Sequence, residues 1–255
     1  MQFSLSLLFW AAGYRQRRYT VRILSQKYFI NLIGVEKMQF PFTIEDFLNV
    51  FKSYNEAVFP LQIIFYIIAF ICIYLLFKPQ RNSNKFIVGI LSFFWLWIGI
   101  VYHIIFFSTI NKAAYFFGIL FIIQGALFAI YGIVKCNITF EYRNNYYNYI
   151  GLIFILYALI IYPLLGHLFG HKYPNSPTFG LPCPTTIFTF GLLLFVNKKI
   201  SVLILIIPLL WSIIGFGAAV NLSIYEDYGL LIAGVLGFVL LLIQNKKKFV
   251  NAKTV

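Results

Sequence analysis

Six apolar runs, each about long enough to cross a bilayer, dictate what this chain can fold into. They span 57–77, 86–108, 113–135, 147–166, 200–220 and 228–244. A helix crosses the ~30 Å hydrocarbon layer with about 20 residues at 1.5 Å rise each. Charge is scarce enough to agree: 11% of residues are Asp, Glu, Lys or Arg, against about 25% in an average soluble domain. A soluble globule, a disordered chain and a coiled coil are thereby excluded. The fold class is an all-α, polytopic membrane protein, a bundle of about seven transmembrane helices with the lipid bilayer as its first partner.

The seventh run, 181–197, is shorter and opens with Pro182 and Pro184. Proline is tolerated in a first helical turn, where its missing N–H has no partner to lose. The run reads either as a short span or as a re-entrant segment, and charge favours a span. With seven crossings and the N-terminus outside, the cytoplasmic side holds Lys78, Arg81, Lys85, Lys135, Arg143, Lys198, Lys199, Lys246, Lys247, Lys248 and Lys253. The outer side, from Met38 onward, holds only Lys52, Lys112 and Lys172. This is the bias of the positive-inside rule. It places the protein in the cell (inner) membrane with the C-terminus cytoplasmic. It also accounts for the net charge of +13 without nucleic acid as a partner.

Residues 1–37 break the pattern, because they add six basic residues on the outer side. The apolar stretch 3–12 is too short to span and lacks a basic region ahead of it. We read 1–37 as a non-native extension with Met38 as the start. Segment 38–56 then carries Ile44, Phe47, Leu48 and Phe51 at helical spacing on one face, an amphipathic interfacial helix. Residues 57–244 form the transmembrane domain and 245–255 a basic cytoplasmic tail.

Polar chemistry gathers on the outer side. His103 lies about five residues inside the outer end of the second span. His167 and His171 flank the outer end of the fourth, in the sequence Gly-His-Leu-Phe-Gly-His. The proline-rich loop 173–184, with Tyr173 and Cys183, follows. Glu45, Asp46, Glu56, Glu226 and Asp227 lie on the same side, and the membrane interior holds no carboxylate by this reading. Histidines at i and i+4 share a helical face and suit a transition metal ion, which makes His103, His167, His171 and Cys183 candidate metal ligands. Gly166, Gly170 and Pro174 weaken any helix there. His103, His167, His171, Tyr173, Asn55 and Asn111 are candidates for holding a small solute or ion, with Glu56, Glu226 and Asp227 balancing charge.

Each carboxylate also has a structural reading. Thr43–Asp46, Ser53–Glu56 and Ser223–Glu226 all match a helix-capping box. Gln62, Gln124 and Thr189 suit hydrogen bonds between helices, and Gly99, Gly118 and Gly191 suit close helix approach. Three widely spaced cysteines give neither a disulfide framework nor a metal motif.

The segments Phe-Pro-Phe-Thr-Ile-Glu-Asp-Phe-Leu at 40–48, Tyr-Asn-Glu-Ala-Val-Phe-Pro at 54–60, Trp95-Leu-Trp97 with Tyr102-His103, and 162–191 together resemble an uncharacterised bacterial membrane family, domain of unknown function 6064. The resemblance covers 38 to about 244. It implies a multi-pass membrane protein, carries no established activity and transfers no site residues. Three functional classes stay open. One is binding or permeation of a small solute or ion in an extracytoplasmic pocket. The second is a metal-dependent membrane enzyme, and the third a non-catalytic accessory subunit.

Overall fold

The structure, a computed structural model, describes residues 41–253. The extension 1–37 and the start at Met38 lie outside the described residues.

Helix α1 (Ile44–Val58) begins where its cap dictates. Thr43 Oγ1 accepts the Asp46 N–H at 3.1 Å, and Asp46 Oδ2 accepts the Thr43 N–H at 2.9 Å. Of the expected face, Phe51 is buried and Phe47 and Leu48 pack against the core, whereas Ile44 is exposed; the docked face continues through Tyr54, Asn55 and Val58. An aromatic ladder sets it, with Phe47 against Phe107 at 5.7 Å and Tyr54 against Tyr102 at 5.7 Å. Ser53 and Glu56 lie within α1, so their capping box does not form.

Helix α2 (Leu61–Phe77) leaves α1 at 84°. Helix α3 (Ser83–Trp97) runs on through a π-helical stretch, Ile98–Phe106, to Thr109. Helix α4 (Ala114–Phe128) likewise ends in a π turn, Ala129–Val134. A third π turn, Tyr157–Ile161, joins α5 (Tyr146–Leu156) to α6 (Tyr162–Phe169). Then follow α7 (Pro182–Leu193), α8 (Leu203–Leu222), a 3-10 turn (Tyr225–Asp227) and α9 (Tyr228–Lys253). Among the described residues, five stretches are long and apolar enough to cross a membrane: Ser83–Thr109, Ala114–Val134, Tyr146–Phe169, Leu203–Leu222 and Tyr225–Lys247. The bent pair α1–α2 qualifies jointly.

Helix α7 explains the ambiguity of its run. Its 12 residues rise only about 18 Å, short of the hydrocarbon thickness. Almost every residue from Pro182 to Val196 is buried by neighbouring helices. Irregular backbone at membrane depth is tolerated where protein covers it, so a short helix with non-helical ends suffices here. Ahead of α7, Thr178 Oγ1 donates to Asn55 Oδ1 at 2.9 Å. Behind it, the Asn197 N–H donates to the Thr139 carbonyl at 2.9 Å. The segment therefore runs from one end of the bundle to the other.

Those two ends differ in chemistry. At one, polar bonds tie the connections together: the Phe140 N–H to Asn84 Oδ1 at 2.8 Å, Asn197 Nδ2 to Glu141 Oε2 at 2.9 Å, and Asn245 to both backbone groups of Ile200. The loops that meet there carry Lys78, Arg81, Lys85, Lys135, Arg143, Lys198 and Lys199, and Lys247 lies against Tyr146. We call this the basic end. The opposite, carboxylate end holds α1, the proline-rich loop and the Tyr225–Asp227 turn.

Small residues set the helix spacing. A Cβ at Gly151 would stand 2.7 Å from the Gly191 carbonyl oxygen, and one at Gly191 would stand 3.0 Å from that of Gly151. Glycine is required at this α5–α7 crossing because backbone meets backbone. Gly99 and Gly118 oppose each other in the same way between α3 and α4.

Candidate functional site

Two turns bring ionisable side chains together at the carboxylate end. The first closes α6. Gly170 adopts φ +100°, its N–H donates to the His167 carbonyl at 3.2 Å, and the His171 N–H donates to the Gly166 carbonyl at 2.8 Å. This is a Schellman arrangement, which needs a left-handed residue and therefore favours glycine. It swings His171 off the helix face that carries His167. The second turn, Tyr225–Asp227, delivers two carboxylates beside it.

His171 Nδ1 meets Glu226 Oε1 at 2.8 Å. The His171 side chain is 13% exposed and that of Glu226 is 0% exposed, so the imidazole lies between the carboxylate and the surface. Glu226 Oε2 is buried with no hydrogen-bond partner among the described residues. The Tyr157 hydroxyl donates to the Glu226 backbone carbonyl at 2.7 Å. Next along the turn, Asp227 Oδ1 accepts from the Tyr162 hydroxyl at 2.5 Å. Tyr162 and Asp227 are both buried. The Cys183 thiol lies against the Asp227 carboxylate and the Trp211 indole, although the indole N–H makes no hydrogen bond of good geometry.

From Trp211 the cluster continues to His103, whose ring centroid lies 5.0 Å from that of Trp211 and 4.7 Å from Phe121. His103 is wholly buried, and neither ring nitrogen has a partner among the described residues. It sits in the Ile98–Phe106 π stretch; such stretches recur at functional positions.

The structure thus separates the expected site residues into groups. His171, Glu226, Asp227 and Cys183 join one cluster, with His103 at its aromatic edge. His167 is exposed on α6, and Glu56 is exposed on α1. Asn55 is buried, but it acts as a clamp: its Nδ2 donates to the Pro174 and Ser176 carbonyls at 2.7 and 2.8 Å. Tyr173 is 55% exposed and reaches the Asn55 carbonyl at 3.4 Å. Asn111 Oδ1 accepts the Ala113 N–H at 3.0 Å, closing the turn before α4. His103, His167, His171 and Cys183 do not converge, and no group of three or more His, Cys, Asp or Glu among the described residues could hold a metal ion. The i, i+4 argument fails because Gly170 ends the helix between the two histidines.

Two of the outer-side carboxylates are buried in protein at the start of a candidate span. Glu226 and Asp227 lie inside the stretch Tyr225–Lys247, the last of those long enough to cross, and both are buried. Glu226 pairs its carboxylate with His171, and Ser223 ends α8 in a left-handed conformation. Sequence reasoning missed Tyr162 and Tyr157. The available signal was a polar tip on an aromatic inside an apolar run, since a buried Tyr or Trp usually has a partner.

These features define a helical multi-pass membrane protein with a buried His–carboxylate–Tyr cluster near one end. The sequence profile of a family of unknown function (DUF6064) matches residues 44–252, and the chain belongs to that family. No curated protein and no solved structure matches it.

Proposed function

We propose that the protein binds a small cation or protonated solute at the carboxylate end, with that end facing away from the cytosol. One observation carries this reading: Glu226 buries a carboxylate in an apolar bundle and, among the described residues, satisfies only one of its two oxygens. A buried ionisable group with an unsatisfied polar atom is costly, and such groups cluster at functional sites. The unsatisfied atom is an acceptor, and so is the neighbouring Asp227 carboxylate. The complementary ligand is a donor or a cation. His171, partly exposed, forms the entrance; Tyr162 holds Asp227 in place. The orientation follows from the basic loops, which the positive-inside rule assigns to the cytosol.

The test uses the full chain in lipid nanodiscs with sodium, potassium, calcium and methylammonium chlorides as probes, and choline chloride as the ionic-strength control. At least one probe is expected to raise the unfolding temperature saturably in the wild type and not in Glu226→Gln. A wild type indifferent to all four relative to choline, or an equal response in the variant, overturns the reading.

A further inference from the structure

At the opposite end of the bundle, Tyr131, Asn137, Lys199, Ser201 and Ile204 help to line a pocket of about 210 Å³. It lies between the end of α4 and the start of α8. Its polar groups are donors to an anion: an ammonium, an amide and a hydroxyl. Lys135 brings a second cation against one of the lining residues, with its Nζ 4.7 Å from the centroid of the Tyr131 ring. An aromatic face attracts a cation without cancelling its charge. The pocket also sits beside the first turn of α8, where the helix dipole favours negative charge.

Among the described residues, no carboxylate lines the pocket. The acidic residue of the neighbouring loop, Glu141, is already engaged. Its Oε2 accepts from Arg143 Nη2 at 2.7 Å and from Asn197 Nδ2 at 2.9 Å, and these bonds hold its carboxyl below the usual range. Among the described residues, the loops of the basic end carry Lys78, Arg81, Lys85, Lys135, Arg143, Lys198 and Lys199 against Glu141, a net positive charge.

The apolar surroundings identify the source of the anion. Val134 is 76% exposed and Leu203 is 53% exposed, and they belong to the two helices that flank the pocket. In a membrane protein such side chains face acyl chains. A group seated between Lys135 and Lys199 would thus continue directly into lipid. We propose that this pocket binds the phosphate of an anionic phospholipid, with its acyl chains lying along Val134 and Leu203. Basic pockets between helices at the cytoplasmic face take acidic headgroups on the same physical grounds.

The experiment compares retention of phosphatidylglycerol and phosphatidylcholine by the purified full chain, using native mass spectrometry with inorganic phosphate as competitor. Lys135 and Lys199 are both exposed, so Lys135→Gln/Lys199→Gln leaves the core untouched. Wild type is expected to retain phosphatidylglycerol selectively. Each lysine removed costs about fivefold in that selectivity, and Lys52→Gln/Lys112→Gln at the other end costs none. Millimolar inorganic phosphate is expected not to displace the lipid. No preference for phosphatidylglycerol in the wild type overturns the proposal, as does equal preference in the Lys135/Lys199 variant. Displacement by inorganic phosphate overturns the lipid assignment and makes the pocket a soluble-phosphate site.

Discussion

The Tyr162 hydroxyl donates to Asp227 Oδ1 across 65 residues of sequence, tying the start of α6 to the turn that opens α9. Removing the hydroxyl leaves a buried carboxylate one donor short, which costs about 1–3 kcal/mol. Tyr162→Phe is expected to lower the unfolding temperature, and Tyr162→Phe/Asp227→Asn to recover part of the loss. A double-mutant cycle in detergent checks this. A coupling below about 0.5 kcal/mol would show the pair to be energetically independent.

Helix spacing gives a second prediction with an internal control. An added methyl at Gly151 meets the Gly191 carbonyl oxygen at 2.7 Å, and backbone cannot move aside as a flexible side chain can. Gly151→Ala is expected to cost about 1–3 kcal/mol. At Gly89 the nearest atom to a new Cβ is Ile133 Cδ1 at 3.8 Å, an ordinary contact. Gly89→Ala is therefore expected to be neutral or to stabilise by up to about 1 kcal/mol, since alanine is the better helix former. Thermal unfolding of the two variants side by side decides it.

The membrane class was legible because apolar run length is set by bilayer thickness, and the Thr43 cap because its signal is local. Even Gly191 announced a close crossing, though its partner Gly151 did not stand out. The pairing of His171 with Glu226 could not be read, because it spans 55 residues and depends on the direction in which the Gly170 turn releases the chain. The i, i+4 spacing of His167 and His171 pointed the other way for the same reason: a periodicity argument holds only while the helix continues. Asn55 resembled a ligand residue because a polar side chain at the outer end of a span looks the same from sequence whether it binds solute or backbone.

That clamp yields the third prediction. Asn55 Nδ2 holds two loop carbonyls, and Asn55 Oδ1 accepts from Thr178. Asn55→Asp replaces the donor with an acceptor facing the same carbonyls, so repulsion adds to the lost bonds. The loop between His171 and Leu181 is expected to exchange its amide hydrogens at least tenfold faster, while helical content stays unchanged. Hydrogen-exchange mass spectrometry reads the two quantities separately. Unchanged exchange in that loop would mean that its prolines, and not Asn55, fix its shape.

The two ends of the bundle supply the last prediction through a cysteine the chain already has. Cys136 is exposed, close to Lys135 at the basic end. His167 is exposed at the carboxylate end. If the basic end faces the cytosol, a membrane-impermeant maleimide added to intact spheroplasts should leave Cys136 unmodified and label His167→Cys. Permeabilisation should then expose Cys136. Cys72 is buried and is expected to react only after denaturation, which gives an internal baseline. Cys136→Ser confirms which thiol is read. Labelling of Cys136 from outside would invert the orientation, moving the Glu226 cluster to the cytosolic side and the Lys199 pocket to the outer leaflet. Labelling of Cys136 and of the thiol in His167→Cys from the same side would break the bundle's two-ended arrangement, because 136 and 167 bracket a single helical passage through α5 and α6.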